Sequence, residues 1–121
     1  MAYIDLWITP VFADRVDDFK KLAKKAANVW VKHGALSYCE FLGEDVKPGK
    51  VTSIPQGIKL KDTEVAVAAF MTFKSKAHRN KVWASVMADP FMKNFDIKNA
   101  PFDGSRMIMG GFQSVVMKYA Q

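Results

Sequence analysis

The spacing of hydrophobic positions switches repeatedly between the two-residue period of strands and the three-to-four-residue period of helices. Tyr3 to Thr9 alternates and is rich in strand formers, with Tyr3, Ile4, Leu6, Trp7, Ile8 and Thr9, and Pro10 closes it. From about Ala13 the period lengthens. Val16, Phe19, Leu22, Ala23, Ala26 and Trp30 then form the apolar stripe of an amphipathic helix. Asp14, Asp17 and Asp18 lie in its first turns, and Lys24, Lys25, Lys32 and His33 lie toward its end. That order complements the helix dipole, and Gly34 is the natural residue to stop it. Leu36 to Leu42 predicts a second strand, closed by Gly43. Glu44 to Asp62 is irregular, punctuated by Pro48, Gly49, Pro55 and Gly57, with room for a short edge strand over Val51 to Ile58 broken at Pro55. A loop this long is either functional or partly an extra strand pair.

Glu64 to Phe73 is the clearest strand pattern in the chain. Ser75 then caps a second helix whose inner face carries Val82, Trp83, Val86 and Met87. Asp89-Pro90 breaks that helix and starts a short third one, with Asp89 as cap and Pro90 in the first turn. Asn99 to Gly104 reads as a loop, and Arg106 to Tyr119 as the last strand, with Gly110-Gly111 marking a bulge or a close backbone approach. Strand, helix, strand, strand, helix, strand is the ferredoxin-like βαββαβ order. The fold class is therefore α+β: an antiparallel sheet with strands one and three central and helices on one face.

Two helices cover only one sheet face, yet both faces of these strands are apolar. In the first strand Ile4, Leu6 and Ile8 point one way, while Tyr3 and Trp7 point the other with Asp5. A bare antiparallel sheet has a polar outer face, and a large exposed apolar patch is a liability on a monomer. A homodimer with two sheets face to face, a dimeric α+β barrel, resolves the conflict. Assigning Ile4, Leu6 and Ile8 to the helices places Asp5 and Trp7 inside the barrel.

Composition narrows the class further. The 121 residues suit one domain over 1–121. Cys39 has no second cysteine to pair with, so no oxidising compartment is implied. No apolar run is long enough to cross a membrane, and Met1 to Pro10 lacks a signal-peptide pattern. A cytoplasmic protein without a membrane partner is expected. The net charge of +6 raises a nucleic-acid partner as a lesser alternative, through Lys20, Lys21, Lys24 and Lys25 on the first helix. No basic stretch is interleaved with exposed aromatics, so a solvated helix face is the simpler reading.

The candidate chemistry is sparse. Two histidines and one cysteine match no zinc spacing, so no metal and no cofactor are expected. His33 reads as a cation at a helix end, and His78 as a solvent-facing residue of the second helix. Cys39 reads as a buried, inert thiol. No nucleophile elbow or phosphate loop is present. Asp103-Gly104 reads as a turn. What remains is a set of charges on three strands. Asp5, Glu40 and Arg106 are candidates for a polar cluster, with Trp7 and Tyr38 as aromatic neighbours. Two readings stay open: an ion-paired cluster that fixes assembly register, or a small-molecule pocket with perturbed carboxylates.

The stretch Pro101-Phe102-Asp103-Gly104-Ser105-Arg106-Met107-Ile108-Met109-Gly110-Gly111-Phe112 resembles the terminal motif of the YbaA-like proteins, an uncharacterised bacterial family. Shorter segments agree in order, among them Tyr3-Ile4-Asp5, His33-Gly34-Ala35-Leu36, Gly43-Glu44-Asp45-Val46, Gly49-Lys50-Val51-Thr52 and Asp89-Pro90. The resemblance implies a ferredoxin-like subunit in a dimeric α+β barrel and no established activity. It also implies a larger aromatic and an acidic residue in the third strand, where Phe70 and Thr72 stand. The leading expectation is a protein that binds a small organic ligand between the sheets. The alternative is an enzyme of the cofactor-independent monooxygenase or haem-degrading type found among such barrels, an analogy of fold alone.

Overall fold

The computed structural model describes residues 2–121. Its strands are β1 (Tyr3–Phe12), β2 (Ser37–Leu42), β3 (Glu64–Phe73) and β4 (Ile108–Gln113). They form one antiparallel sheet in the order β2-β3-β1-β4. Two long helices, α1 (Val16–Lys32) and α3 (Lys76–Met87), alternate with the strands. Two short ones, α2 (Ile54–Gly57) and α4 (Pro90–Lys93), lie in the connections. This is the α+β, ferredoxin-like arrangement that the periodicity predicts.

Local chemistry explains the ends. Gly34 stops α1 at φ 119°, and Ala35 N–H donates back to Trp30 O at 3.0 Å, a Schellman closure open to few residues other than glycine. Ser75 accepts from His78 N–H and Asp89 from Phe91 N–H, so both predicted caps form.

Four local expectations change. Pro10 does not close the first strand: β1 runs through it to Phe12, because the β4 ladder ends at Ile8 and the missing Pro10 N–H leaves no ladder bond unmade. The region around Pro55 is not an edge strand but α2, capped by Ser53, with Pro55 in the first turn. Proline is tolerated there because no partner awaits its missing N–H. The last strand ends at Gln113 instead of Tyr119. It pairs with β1, which starts at Tyr3 opposite Gln113, and a single further bond, from Ser114 N–H to Ala2 O, follows the ladder. Met87, expected on the inner face of its helix, is 41 % exposed.

The larger correction concerns which face of the sheet meets the helices. Asp5, Trp7, Thr9 and Val11 are buried beneath the helical layer, and Trp7 packs in one cluster with Ala26, Trp30, Val82 and Val86. Ile4, Leu6 and Ile8 point to the uncovered face. There they join Phe41, Phe70, Ile108 and Phe112 across the register, and Phe41 stacks on Phe70 at 6.0 Å. The uncovered face is still apolar, with Phe41 58 % and Phe112 53 % exposed. Only the residues assigned to it change.

Candidate functional site

Alternation along the edge strand β2 sends Tyr38 and Glu40 to the helix side of the sheet, where they meet Trp7 and Thr9 of β1. Trp30 from α1 and Trp83 from α3 close the space from above, packed edge to face at 4.9 Å. Phe91 and Met92 of α4 complete one side. Together they enclose a cavity of about 200 Å³ between the sheet and the helices. All three tryptophans of the chain line it. Tyr38 tilts against Trp7 at 5.6 Å, fixing the ring that carries the hydroxyl.

The wall is apolar except at Thr9, Tyr38 and Glu40. The Tyr38 hydroxyl donates to Glu40 Oε2 at 3.1 Å. Burial raises the Glu40 pKa above the ordinary carboxylate range, and the Tyr38 hydrogen bond offsets part of that rise. Burial first, and then the neighbouring Glu40 charge, push the Tyr38 hydroxyl far above the ordinary tyrosine range. The Thr9 hydroxyl is buried, and its Oγ1 has no hydrogen-bond partner among the described residues. Buried polar atoms are paired in the great majority of cases, so this hydroxyl, itself without accessible surface, is a local cost carried by the packing around it.

The expected cluster of Asp5, Glu40 and Arg106 does not form. Each residue has its own partners. Asp5, 1 % exposed, accepts from Arg79 Nε at 3.0 and 3.1 Å and from Trp83 Nε1 at 2.6 Å. The Arg79 guanidinium lies 5.3 Å from the Tyr3 ring and 5.8 Å from the Trp83 ring. It also lies over Gly111, where a Cβ would overlap Tyr3 and come within 2.9 Å of Arg79 Nη2. Gly111 is thus a close approach, and the register of β4 runs through it without a bulge. Arg106 pairs with buried Glu64 through both terminal nitrogens and with Asp103 at 2.9 Å. Its Nη1 also donates to Lys59 O at 2.8 Å, tying the β2–β3 connection to the start of β4. The Arg106 contact lowers the Glu64 pKa. Hydrogen bonds from Ser105, then Arg106, hold Asp103 down at about 2.

Of the five candidate residues, Trp7, Tyr38 and Glu40 share the cavity, while Asp5 and Arg106 sit in separate ion pairs outside its lining. The sequence reading missed Arg79, Trp83, Glu64 and Thr9. Arg79 and Trp83 did leave a signal, since they stand one turn apart on one helix, where both can reach a single buried carboxylate. His78 is half-buried instead of solvent-facing, with its ring 5.9 Å from that of Phe73 and Nδ1 accepting from Lys74 N–H. His33 Nε2 lies 2.8 Å from Asp89 Oδ2, joining the end of α1 to the cap of α4. Cys39 is half-buried, not fully buried, and its alternation puts it on the uncovered face. Thr72, where the resemblance implied an acid, also lies on that face and is paired with Ser37. Among the described residues no group of three or more His, Cys, Asp or Glu side chains is arranged to hold a metal ion.

Residues 2–104 match the model of a family described as "Protein of unknown function (DUF1428)". Over 116 residues the chain is 38 % identical to "Uncharacterized protein YbaA" of Escherichia coli strain K12, covering 96 % of this chain and 98 % of that one. Two solved structures share the fold. A dimeric ferredoxin-like protein from an uncultured marine organism superposes with a TM-score of 0.60 at 14 % identity, covering 97 % of this chain and 98 % of its own. An uncharacterized NIPSNAP domain protein from Burkholderia xenovorans gives 0.58 at 12 % identity, covering 98 % and 99 %.

Proposed function

Because the chain belongs to the YbaA-like family of proteins of unknown function, its chemistry must be argued from its own side chains, and we propose that it binds a small, mainly apolar organic molecule between sheet and helices, not between two sheets. The observation that carries the reading is the Tyr38–Glu40 pair set in an otherwise apolar wall between sheet and helices. A ligand with one hydrogen-bonding group meets the Tyr38–Glu40 pair while its apolar body fills the space among the tryptophans. An engineered cavity of roughly 150 Å³ accepts benzene. A site of about 200 Å³ therefore suits a body of one or two rings. The raised Glu40 pKa supports a second reading, an enzyme in which this carboxyl passes a proton to or from the bound molecule.

The test is calorimetric titration with 2-naphthol, p-cresol and indole, read alongside thermal shifts. Saturable binding of at least one compound, weakened about tenfold in Tyr38→Phe, is the expected result. No heat and no thermal shift with any of them at millimolar concentration overturns the reading.

The proposal extends to assembly and setting. A single domain over 1–121 works as a homodimer through the uncovered sheet face, in the cytoplasm. What supports the dimer is the apolar character of Leu6, Phe41, Ile108 and Phe112, together with a fold neighbour described as dimeric. No helix among the described residues is long and apolar enough to cross a membrane.

A further inference from the structure

A second concavity of about 260 Å³ lies between α1 and the edge strand β2, outside the first. Phe19, Ala23 and Glu40 line both spaces, so the outer groove and the inner cavity meet across these three side chains. On the solvent side the groove carries Lys20 and Lys24, one helical turn apart on α1. Neither lysine takes part in an ion pair among the described residues. Two lysines without a salt-bridge partner among the described residues thus line the outer groove beside the inner cavity.

We propose that this groove is the mouth of the cavity, and that Lys20 and Lys24 select a ligand with an anionic group on an apolar body of one or two rings. The inference rests on the reading of the cavity as a ligand site and adds the ligand's charge. Charge complementarity is its first support: the anion stays in the wet groove beside the lysines, and the rings pass Phe19 and Ala23 into the chamber. The second support is Glu40, which would oppose an incoming anion if ionised; its burial favours the neutral acid. Lysine stems also supply apolar cover along such a groove while their charges remain hydrated.

Paired ligands separate this inference from the reading beneath it. 2-Naphthoate and 2-naphthamide have the same rings and nearly the same shape, and differ in charge. Both are titrated into the parent, into Lys20→Gln/Lys24→Gln, and into Lys76→Gln/Lys81→Gln, which removes the same charge from α3. The parent and the α3 variant are expected to bind 2-naphthoate about tenfold more tightly than 2-naphthamide. The groove variant should bind the two within about twofold, with its amide affinity unchanged. Raising the salt should shrink the parent's preference. Equal binding of both ligands by the parent, or a preference that survives in the groove variant, overturns the mouth and leaves the cavity standing. Failure of the parent to bind either ligand overturns the mouth and counts against the cavity reading with it.

Discussion

Replacing Asp5 by Asn changes few atoms and removes a buried charge. The Asp5 carboxylate is 1 % exposed and takes Arg79 Nε on both oxygens and Trp83 Nε1 on Oδ2. An amide cannot reproduce this. With Nδ2 in place of Oδ2, two donors face each other at Trp83; with Nδ2 in place of Oδ1, they face each other at Arg79. Either way one hydrogen bond is lost and the guanidinium loses its counter-charge. Breaking a buried pair costs about 3–5 kcal/mol. The Arg79 side chain is 24 % exposed and rests against the Tyr3 and Trp83 rings, which soften the loss. We therefore expect about 3 kcal/mol for Asp5→Asn, at the lower end of that range, and a fall in Tm of about 10 °C for a chain of this size. Urea denaturation is followed by circular dichroism at one protein concentration, because any dimer makes stability depend on concentration. Asp5→Asn and Arg79→Met should be coupled by about 1 kcal/mol or more, whereas Asp5→Asn and Arg106→Met should add to within about 0.5 kcal/mol. An Asp5→Asn protein within about 0.5 kcal/mol of the parent refutes the argument.

Glu40→Gln carries the opposite sign. A carboxyl whose pKa is raised on folding contributes most below its unfolded value near about 4.3, and that contribution is lost as pH rises through the folded value. At pH 7 the variant should be as stable as the parent or more so, with a flatter pH profile in thermal melts; a clear loss at pH 7 contradicts the buried-acid reading. Glu64 and Asp103 have lowered values, so their contribution is present above about pH 4 and lost as pH falls through their folded values. Arg106→Met should flatten this acid limb, and an unchanged limb would place the acid sensitivity elsewhere. Light scattering should give about twice the 13.6 kDa chain mass, and Phe112→Lys on the uncovered face should shift it toward a folded monomer. Parent protein that stays monomeric at micromolar concentration and above removes the dimer. Gly111→Ala should destabilise by disturbing Tyr3 and Arg79 together, as read by the loss of Asp5–Arg79 coupling in the same cycle.

The element order was legible because it rests on spacing, and spacing survives without tertiary context. Asp89-Pro90, Ser75 and Gly34 each carry a local reason to end or begin a helix, and each does so in the structure. Ser53 and Gln56 carried a similar signal. Ser53 Oγ accepts from Gln56 N–H as a helix cap, while Gln56 Oε1 accepts from the Ser53 hydroxyl and from Gly49 N–H. Pro55 hid it by reading as a strand breaker, although a proline in the first turn of a helix is ordinary. The end of β4 was not legible from its own residues, because the chain remains apolar through Val115, Val116 and Met117. What ends the strand is the beginning of β1, a tertiary fact. In the candidate site, the shared face of Tyr38 and Glu40 followed from alternation alone. Thr9 gave no sign, since nothing in a threonine's neighbours says whether its hydroxyl will find a partner.

The face assignment turns on one residue. Both faces of β1 are apolar, so hydrophobicity cannot choose between them, and a one-residue change of assignment inverts every inference about the interior. Asp5 breaks the tie. A carboxylate in a central strand needs donors, and besides Ala68, Phe70, Ile108 and Phe112 the uncovered face offers the hydroxyls of Thr72 and Ser37, which bond each other, and no cation across the register. The helix side offers Arg79 and Trp83, one turn apart. Asp5 must therefore face α3, and alternation carries Tyr3, Trp7, Thr9 and Val11 with it. The aromatic and hydroxyl groups suited to hold a small molecule thus lie between sheet and helices, while the uncovered face keeps mainly aliphatic and phenyl groups. Such groups discriminate weakly among ligands, having almost no directional contacts to offer, but they are well suited to burial against another apolar sheet. Under the proposed function, the position of one charge assigns recognition to one side of this sheet and association to the other.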